Sequence, residues 1–334
     1  MKVLVLFDLP RPVDPNQTFT LKALREEEDR PTEADVISCL KRLGYEVQTL
    51  AVYDNIVSVV QKIQDLAPDV VFNLCESFLN DRAHEPNVPA LLELLKIPYT
   101  GAGPEALLLC KDKALAKTLL SYHHIRMARF VVSRKRQPLR RIRLKFPVFV
   151  KPADQESSEG IVKASFARNE PDALERARFI HQSLNGDALI EEYVDGRELY
   201  VSLLGNNKVT VFPARELFFG DIPDGEPKFA HSKAKWDGEY RWKWKIKNGP
   251  AAELPGGVEK KLITEAKRIY TYLKICGLGR IDLRLTPDNE LIFIEANPNP
   301  SLAEGDDFAQ SAAMAGLSYD TLIQRIVEGA KKTS

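Results

Sequence analysis

A continuous apolar run, Val3-Leu4-Val5-Leu6-Phe7, opens a chain that then alternates strand-like and helix-like stretches. A strand apolar at every position is one covered on both faces, as in a parallel sheet. Residues 32–43 follow with apolar side chains at helical spacing, Thr32 placed as N-cap and Gly44 as the C′ stop. Glu46 to Leu50 reads as a second strand, Ile56 to Leu66 as a helix, Val70 to Leu74 as a third strand and Val88 to Leu95 as a helix. Strand–helix–strand alternation predicts a Rossmann-like, doubly wound parallel sheet over residues 1–110. Such a sheet alone carries no function.

The pattern then changes. Lys111 to Tyr122 reads as one helix with Lys113 and Lys117 on one side, and Phe146 to Pro152 as a strand containing Lys151. A helix at 172–183, a strand at 188–194 and strands at 199–204 and 209–212 around Gly205-Asn206-Asn207 follow. Val258 to Cys276 is helical, Ile281 to Leu285 and Leu291 to Glu295 bracket the turn Thr286-Pro287-Asp288-Asn289, and Tyr319 to Ala330 forms the last helix. The second half is therefore α+β with antiparallel sheet.

Lysine plus arginine and aspartate plus glutamate both total 47, so charge gives no reason to expect nucleic acid or an anionic membrane as partner. The basic stretch from Arg134 to Lys145 reads as a solvated connector. No run approaches the ~18 apolar residues of a membrane span. Cys39, Cys75, Cys110 and Cys276 form no CxxC or other metal spacing, which suits a reducing, cytoplasmic setting. Cys75 reads as a buried strand-end cysteine, His123-His124 as a surface helix end, and Trp242 with Trp244 as one face of a strand.

The final hairpin carries the strongest chemical signal. Residues two apart in a strand share a face, so Arg280 goes with Asp282 and Glu295 with Asn297. If pairing brings those faces together, two carboxylates, a carboxamide oxygen and a guanidinium converge, and hard oxygen ligands of that kind suit Mg²⁺ beside substrate phosphates. A solvated acidic sheet face is the plain alternative. Lys151, followed by the loop Gln155 to Gly160, fits a phosphate cradle as well as it fits a surface turn. Glu191-Glu192-Tyr193-Val194 offers a backbone edge for an adenine, and Glu198 a carboxylate for a ribose hydroxyl.

Taken in order, Lys113, Val150-Lys151-Pro152, Ser157 to Gly160, Glu191 to Glu198, Gly279-Arg280-Ile281-Asp282 and Glu295-Ala296-Asn297 resemble the D-alanine–D-alanine ligases of the ATP-grasp superfamily. Ile97-Pro98-Tyr99-Thr100-Gly101 belongs to the same likeness, which spans roughly residues 70–330. The resemblance implies an ATP-grasp fold: an N-terminal Rossmann-like domain over 1–110 and two ATP-clamping α+β domains over 111–193 and 194–334. It places Lys113 and Lys151 on the ATP phosphates, Glu191 with the backbone near Glu192 and Val194 on adenine, and Glu198 on ribose. Ser157, Ser158 and Gly160 become the lid, with Ser158 also catalytic, and Asp282, Glu295 and Asn297 the ligands of two Mg²⁺ ions, Mn²⁺ being an allowed substitute. Arg280 would stabilise the tetrahedral intermediate. A mobile loop over 231–247 would bring in Lys235, with Trp236 standing where those ligases have tyrosine. The implied reaction joins a carboxylate to an amine through an acyl phosphate, with amino acids as expected substrates and a homodimer as one option.

Three departures bear on substrate. Phe7-Asp8-Leu9-Pro10-Arg11-Pro12 replaces the family's Gly-rich turn, leaving Asp8 or Glu76 to hold an ammonium. Pro298-Asn299-Pro300-Ser301 follows the metal strand in place of the family's Thr, Pro and Gly. Asp306, followed by Asp307, stands where the family's serine seats the second carboxylate, so the second substrate is expected to be cationic or to lack that group. An unaltered D-Ala–D-Ala ligase, another ATP-grasp ligase and a catalytically silent nucleotide-binding module are the alternatives.

Overall fold

β1 (Lys2–Asp8) lies between β2 (Glu46–Val52) and β3 (Val70–Asn73) in a parallel three-stranded sheet, seen in a computed structural model describing residues 1–14, 16–26, 28–154, 161–223 and 227–331. β1 is buried at every residue after Lys2, which explains its unbroken apolar sequence. Val3, Val5 and Phe7 face a layer that includes α2 (Pro31–Arg42), while Leu4 and Leu6 face α3 (Ile56–Leu66) and α4 (Asn87–Leu94). α1 (Leu21–Glu26) packs beside α2. Thr32 is not the N-cap: α2 starts at Pro31, whose fixed φ suits a first helical turn. Gly44 does end it, with φ +77°.

The single helix expected over 111–122 is two: α5 (Pro104–Lys111) and α6 (Lys113–Tyr122). Asp112 between them is extended, and its carboxylate accepts from the Leu115 N–H at 2.9 Å, so an N-cap rather than a mid-helix residue occupies that point. β4 (Phe130–Ser133), β5 (Val148–Pro152), β6 (Phe166–Ala167) and β7 (Ala188–Glu192) form an antiparallel sheet in the order β4-β7-β5-β6. α7 (Glu170–Ser183) covers one face, setting Ala173, Ala177 and Ile180 against Val148, Val150 and Ile190.

The third sheet runs β11-β10-β8-β12-β13, with β9 paired to β8. Its strands are β8 (Arg197–Leu204), β9 (Thr210–Val211), β10 (Arg215–Phe219), β11 (Ile246–Pro250), β12 (Leu278–Leu285) and β13 (Leu291–Asn297). Before β11 lie two short helices, α8 (Ser232–Trp236) and α9 (Gly238–Lys243), so Trp242 sits on a helix and not on the expected strand. α10 (Val258–Tyr272) buries Leu262, Ala266 and Ile269 against Leu199, Val201, Ile281 and Leu283. It stops four residues before the expected Cys276, where Lys274 takes a positive φ. With that face apolar, alternation aims Glu198, Tyr200, Arg280, Asp282 and Arg284 at the opposite one.

α11 (Asp307–Met314) and α12 (Tyr319–Lys331) return to the first sheet, where Leu322, Ile323, Ile326 and Val327 join the core of Val3, Val5 and Val36. No helix among the described residues is long and apolar enough to cross a membrane.

Candidate active site

On the polar face of the third sheet, antiparallel register sets Arg215, Tyr200, Asp282 and Glu295 in one cross-strand row. The adjoining row holds Ser202, Arg280 and Asn297. The expected convergence of Arg280, Asp282, Glu295 and Asn297 is therefore a matter of direct pairing: Asp282 opposes Glu295 and Arg280 opposes Asn297. A register shift after Asp282 inserts an extra residue in β13, the bulge that turns the strand at this point.

Asp282 is 2% exposed and takes a two-pronged hydrogen bond from Arg280, Nε to Oδ1 at 2.7 Å and Nη2 to Oδ2 at 2.9 Å. The guanidinium lies 4.8 Å from the Tyr200 ring centroid. Burial pushes the Asp282 carboxyl up from its ordinary value, Arg280 pulls against that and Glu295 adds to it. Glu295 goes the other way. Burial would raise it, but Lys113, Lys235, Lys151 and Arg280 together hold it down at about 2. Two facing carboxylates thus divide, one kept anionic by a ring of cations.

Among the described residues, no group of three or more His, Cys, Asp or Glu side chains comes together. The donor set is two carboxylates and a carboxamide, which fits a hard cation that fills its shell with phosphate oxygens and water.

Next to this end lies a cleft lined by both antiparallel sheets. Lys151, Glu191, Glu192, Tyr193, Val194, Glu198, Lys235 and Glu295 line it, joined by the apolar Phe149, Phe229 and Phe293. Inside, Lys151 Nζ is 2.6 Å from Glu191 Oε1 and Lys117 Nζ is 3.0 Å from Oε2. Glu191 is thus paired with both lysines, and Lys117 also donates to the Phe293 carbonyl at 3.3 Å. Phe149, Phe229 and Phe293 beside this buried, charge-paired carboxylate give the slot the mixed apolar and polar lining of a small-molecule pocket. Glu198 accepts from Tyr200 Oη at 2.9 Å and from Arg284 Nη2 at 2.9 Å.

The remaining expected residues fall in several places. Lys113 begins α6, buried, its N–H bonded to the Ala153 carbonyl. Lys235 rides on α8, which His231 caps by accepting from the Ala234 N–H. Trp236 ends that helix. Ser157, Ser158 and Gly160 lie outside the described residues. Asp306 is exposed before α11, and Asp307 accepts from Arg215 Nε and Asn248 Nδ2, each at 2.6 Å. Glu76 pairs with Arg82 at 2.6 Å. Asp8 is buried, accepting from the Glu76 N–H at 2.7 Å and the Ser77 hydroxyl at 2.6 Å.

Sequence reasoning passed over Tyr200 and Arg284, and it set Lys117 beside Lys113 without giving it a role. Arg284 fastens Glu198, the Gly196 carbonyl and the Lys228 carbonyl together. Its signal was available, two residues beyond Asp282 on the same face.

A cleft between two antiparallel sheets, with lysines at one end and facing carboxylates beside it, places the protein with the ATP-grasp carbon–nitrogen ligases, as its relatives bear out. The family model described as D-ala D-ala ligase C-terminus matches residues 114–328. An uncharacterized protein of Sinorhizobium fredii is 30% identical over 307 residues, covering 89% of this chain and 86% of that one. A D-alanine–D-alanine ligase of Caldicellulosiruptor bescii is 31% identical over 275 residues, 78% of this chain and 69% of that one. The Bacillus anthracis D-alanine–D-alanine ligase in complex with ATP shares the fold, with a TM-score of 0.76 at 19% identity over 100% and 98% of the two chains. The chain belongs to the D-alanine–D-alanine ligase family.

Proposed function

We propose that the protein joins a carboxylate to an amine at the expense of ATP, through an acyl phosphate, with Mg²⁺ at Asp282, Glu295 and Asn297. The observation that carries this reading is the direct opposition of Asp282 and Glu295 at the end of the cleft, with Lys113, Lys151 and Lys235 acting on Glu295. Lys151 and Lys113 would neutralise the phosphates. Glu191 and the backbone at Glu192 and Val194 would hold adenine, and Glu198 the ribose. When bound, the cation supplies charge neutralisation and alignment of the phosphate oxygens.

The first substrate's carboxylate oxygen attacks the γ-phosphorus of ATP and ADP leaves; the amine then attacks the carbonyl of the acyl phosphate and gives up a proton, and inorganic phosphate departs. Arg280 would stabilise the tetrahedral oxyanion formed when the amine attacks, while the cation and the lysines would neutralise charge in the phosphoryl transfer. Ser157, Ser158 and Gly160 would form the lid and Lys235 a further phosphate contact, together keeping water from the acyl phosphate.

We assign the second substrate to amines that are cationic or lack a free carboxylate at the far end. Asp306 is exposed and acceptor-only, and Asp307 is already neutralised by Arg215, so neither would draw a carboxylate in. Phosphate release from ATP, measured across single amino acids and amines, tests both parts. Asp282→Asn and Glu295→Gln are each expected to lower the rate at least a hundredfold with the fold intact. Turnover that survives both substitutions overturns the site, and release with D-alanine alone overturns the substrate assignment.

A further inference from the structure

A hydrogen-bonded path leaves the acidic end of the cleft and enters the N-terminal unit. Asn297 ends β13, and its Oδ1 accepts from the Asn299 N–H at 2.9 Å. The Asn299 side chain donates from Nδ2 to Glu85 Oε1 at 2.9 Å and to the Cys75 carbonyl at 3.3 Å. Glu85 is 2% exposed, and its Oε2 accepts from Lys111 Nζ at 3.0 Å. Asn299 therefore ties the exit of β13 to the chain just past β3 and, through the buried Glu85 carboxylate, to the end of α5.

A carboxamide has two ends of similar shape and opposite polarity, and only the oxygen ligates a cation. The Asn299 N–H selects the oxygen, because a flipped carboxamide would set donor against donor. Oδ1 keeps a second lone pair for a metal. That selection works only while the main chain at residue 299 stays in place, and the grip of Glu85 on the Asn299 side chain is what fixes it.

We propose that Glu85 and Asn299 are positioning residues for the metal site, holding the Asn297 carboxamide oxygen toward the cation from the N-terminal unit. The proposal rests on Asn297 being a metal ligand, as read above. Outer partners of metal ligands commonly change affinity 10- to 100-fold when removed.

Mn²⁺ binding to the full chain in the presence of ADP, followed by the electron spin resonance of free Mn²⁺, tests it. Asn299→Ala and Glu85→Gln are expected to weaken Mn²⁺ about tenfold, with the KM for ATP at saturating Mg²⁺ within twofold of the parent. In an Asn297→Ala background, Asn299→Ala is expected to change Mn²⁺ affinity no further, because its route to the metal is already gone. A purely structural role would add its full effect there, and that result overturns the proposal. So does parent-like Mn²⁺ affinity in Asn299→Ala when Asn297→Ala binds weakly. Unchanged affinity in Asn297→Ala itself overturns the metal reading, and this proposal with it. Thermal unfolding accompanies each variant, and if Glu85→Gln loses the native transition, Asn299→Ala at its half-buried loop position decides alone.

Discussion

Glu191 bridges two buried lysines, Lys117 at 1% exposure and Lys151 at 3%. Burial draws the Lys117 charge down and would push the Glu191 carboxyl up, but the two ammonium groups hold that carboxyl at about 2. Removing one member of such a group leaves the others charged and uncompensated, which costs about 3–5 kcal/mol. Glu191→Gln is therefore expected to lower urea stability by about that much at pH 7. The sign with pH follows from the depressed value: the stabilisation is complete above the ordinary 4.5 and is lost as pH falls toward 2. The acid limb of the parent's stability curve should span about 3 kcal/mol more than that of Glu191→Gln. Parallel acid limbs would show that the two lysines do not depend on this carboxylate.

At the scale of elements, Asp112 decides where Lys113 points. Its extended backbone ends α5, and its side chain caps the next helix, so Lys113 occupies the first position of α6. Asp112→Ala removes the cap, with an expected loss of about 1 kcal/mol. The KM for ATP should rise several-fold without a change in kcat, because Lys113 shifts while the metal carboxylates stay; a parent-like KM would detach the cap from the site. The capping aspartate was visible in the sequence, but Lys111 to Tyr122 also satisfies helical spacing, and periodicity hides a one-residue break. The β12–β13 hairpin was legible because alternation sorts the faces and Thr286 to Asn289 is a turn sequence. The bulge after Asp282 was not, since register depends on partner strands. The role of Lys117 stayed hidden because its partner, Glu191, is 74 positions away and only sheet packing joins them. α8 and α9 were missed for a different reason: five and six residues are too few for a helical period to declare itself.

Across the whole molecule, the two ends of the chain build one core. α12 packs on α2 and β3, Asp320 bonds Cys39 and Arg42, and Thr32 meets Ser301 just past β13. Glu33, on α2 at this junction, is 5% exposed and its carboxyl is raised to about 7. Burial is the main cause, with Glu76 and Asp8 adding to it while its backbone hydrogen bond and Arg30 work against it. A raised carboxyl favours the native state when protonated, so the contribution is complete below 4.5 and is lost as pH climbs through about 7. The native state then holds one proton more than the unfolded chain, a slope of about 1.4 kcal/mol per pH unit and about 3 kcal/mol in all. Glu33→Gln keeps a neutral side chain at every pH. Its stability relative to the parent should be near equal at pH 4.5 and rise by about 3 kcal/mol by pH 8. Taking that difference from paired urea titrations cancels every other titrating group, and a difference that stays flat would mean Glu33 is ionised in the native fold throughout. Because α2 also carries the contacts to α12 and Ser301, the gain at pH 8 should appear as one cooperative transition of the whole chain; an early, separate N-terminal unfolding step would mean that the shared core does not couple the two ends.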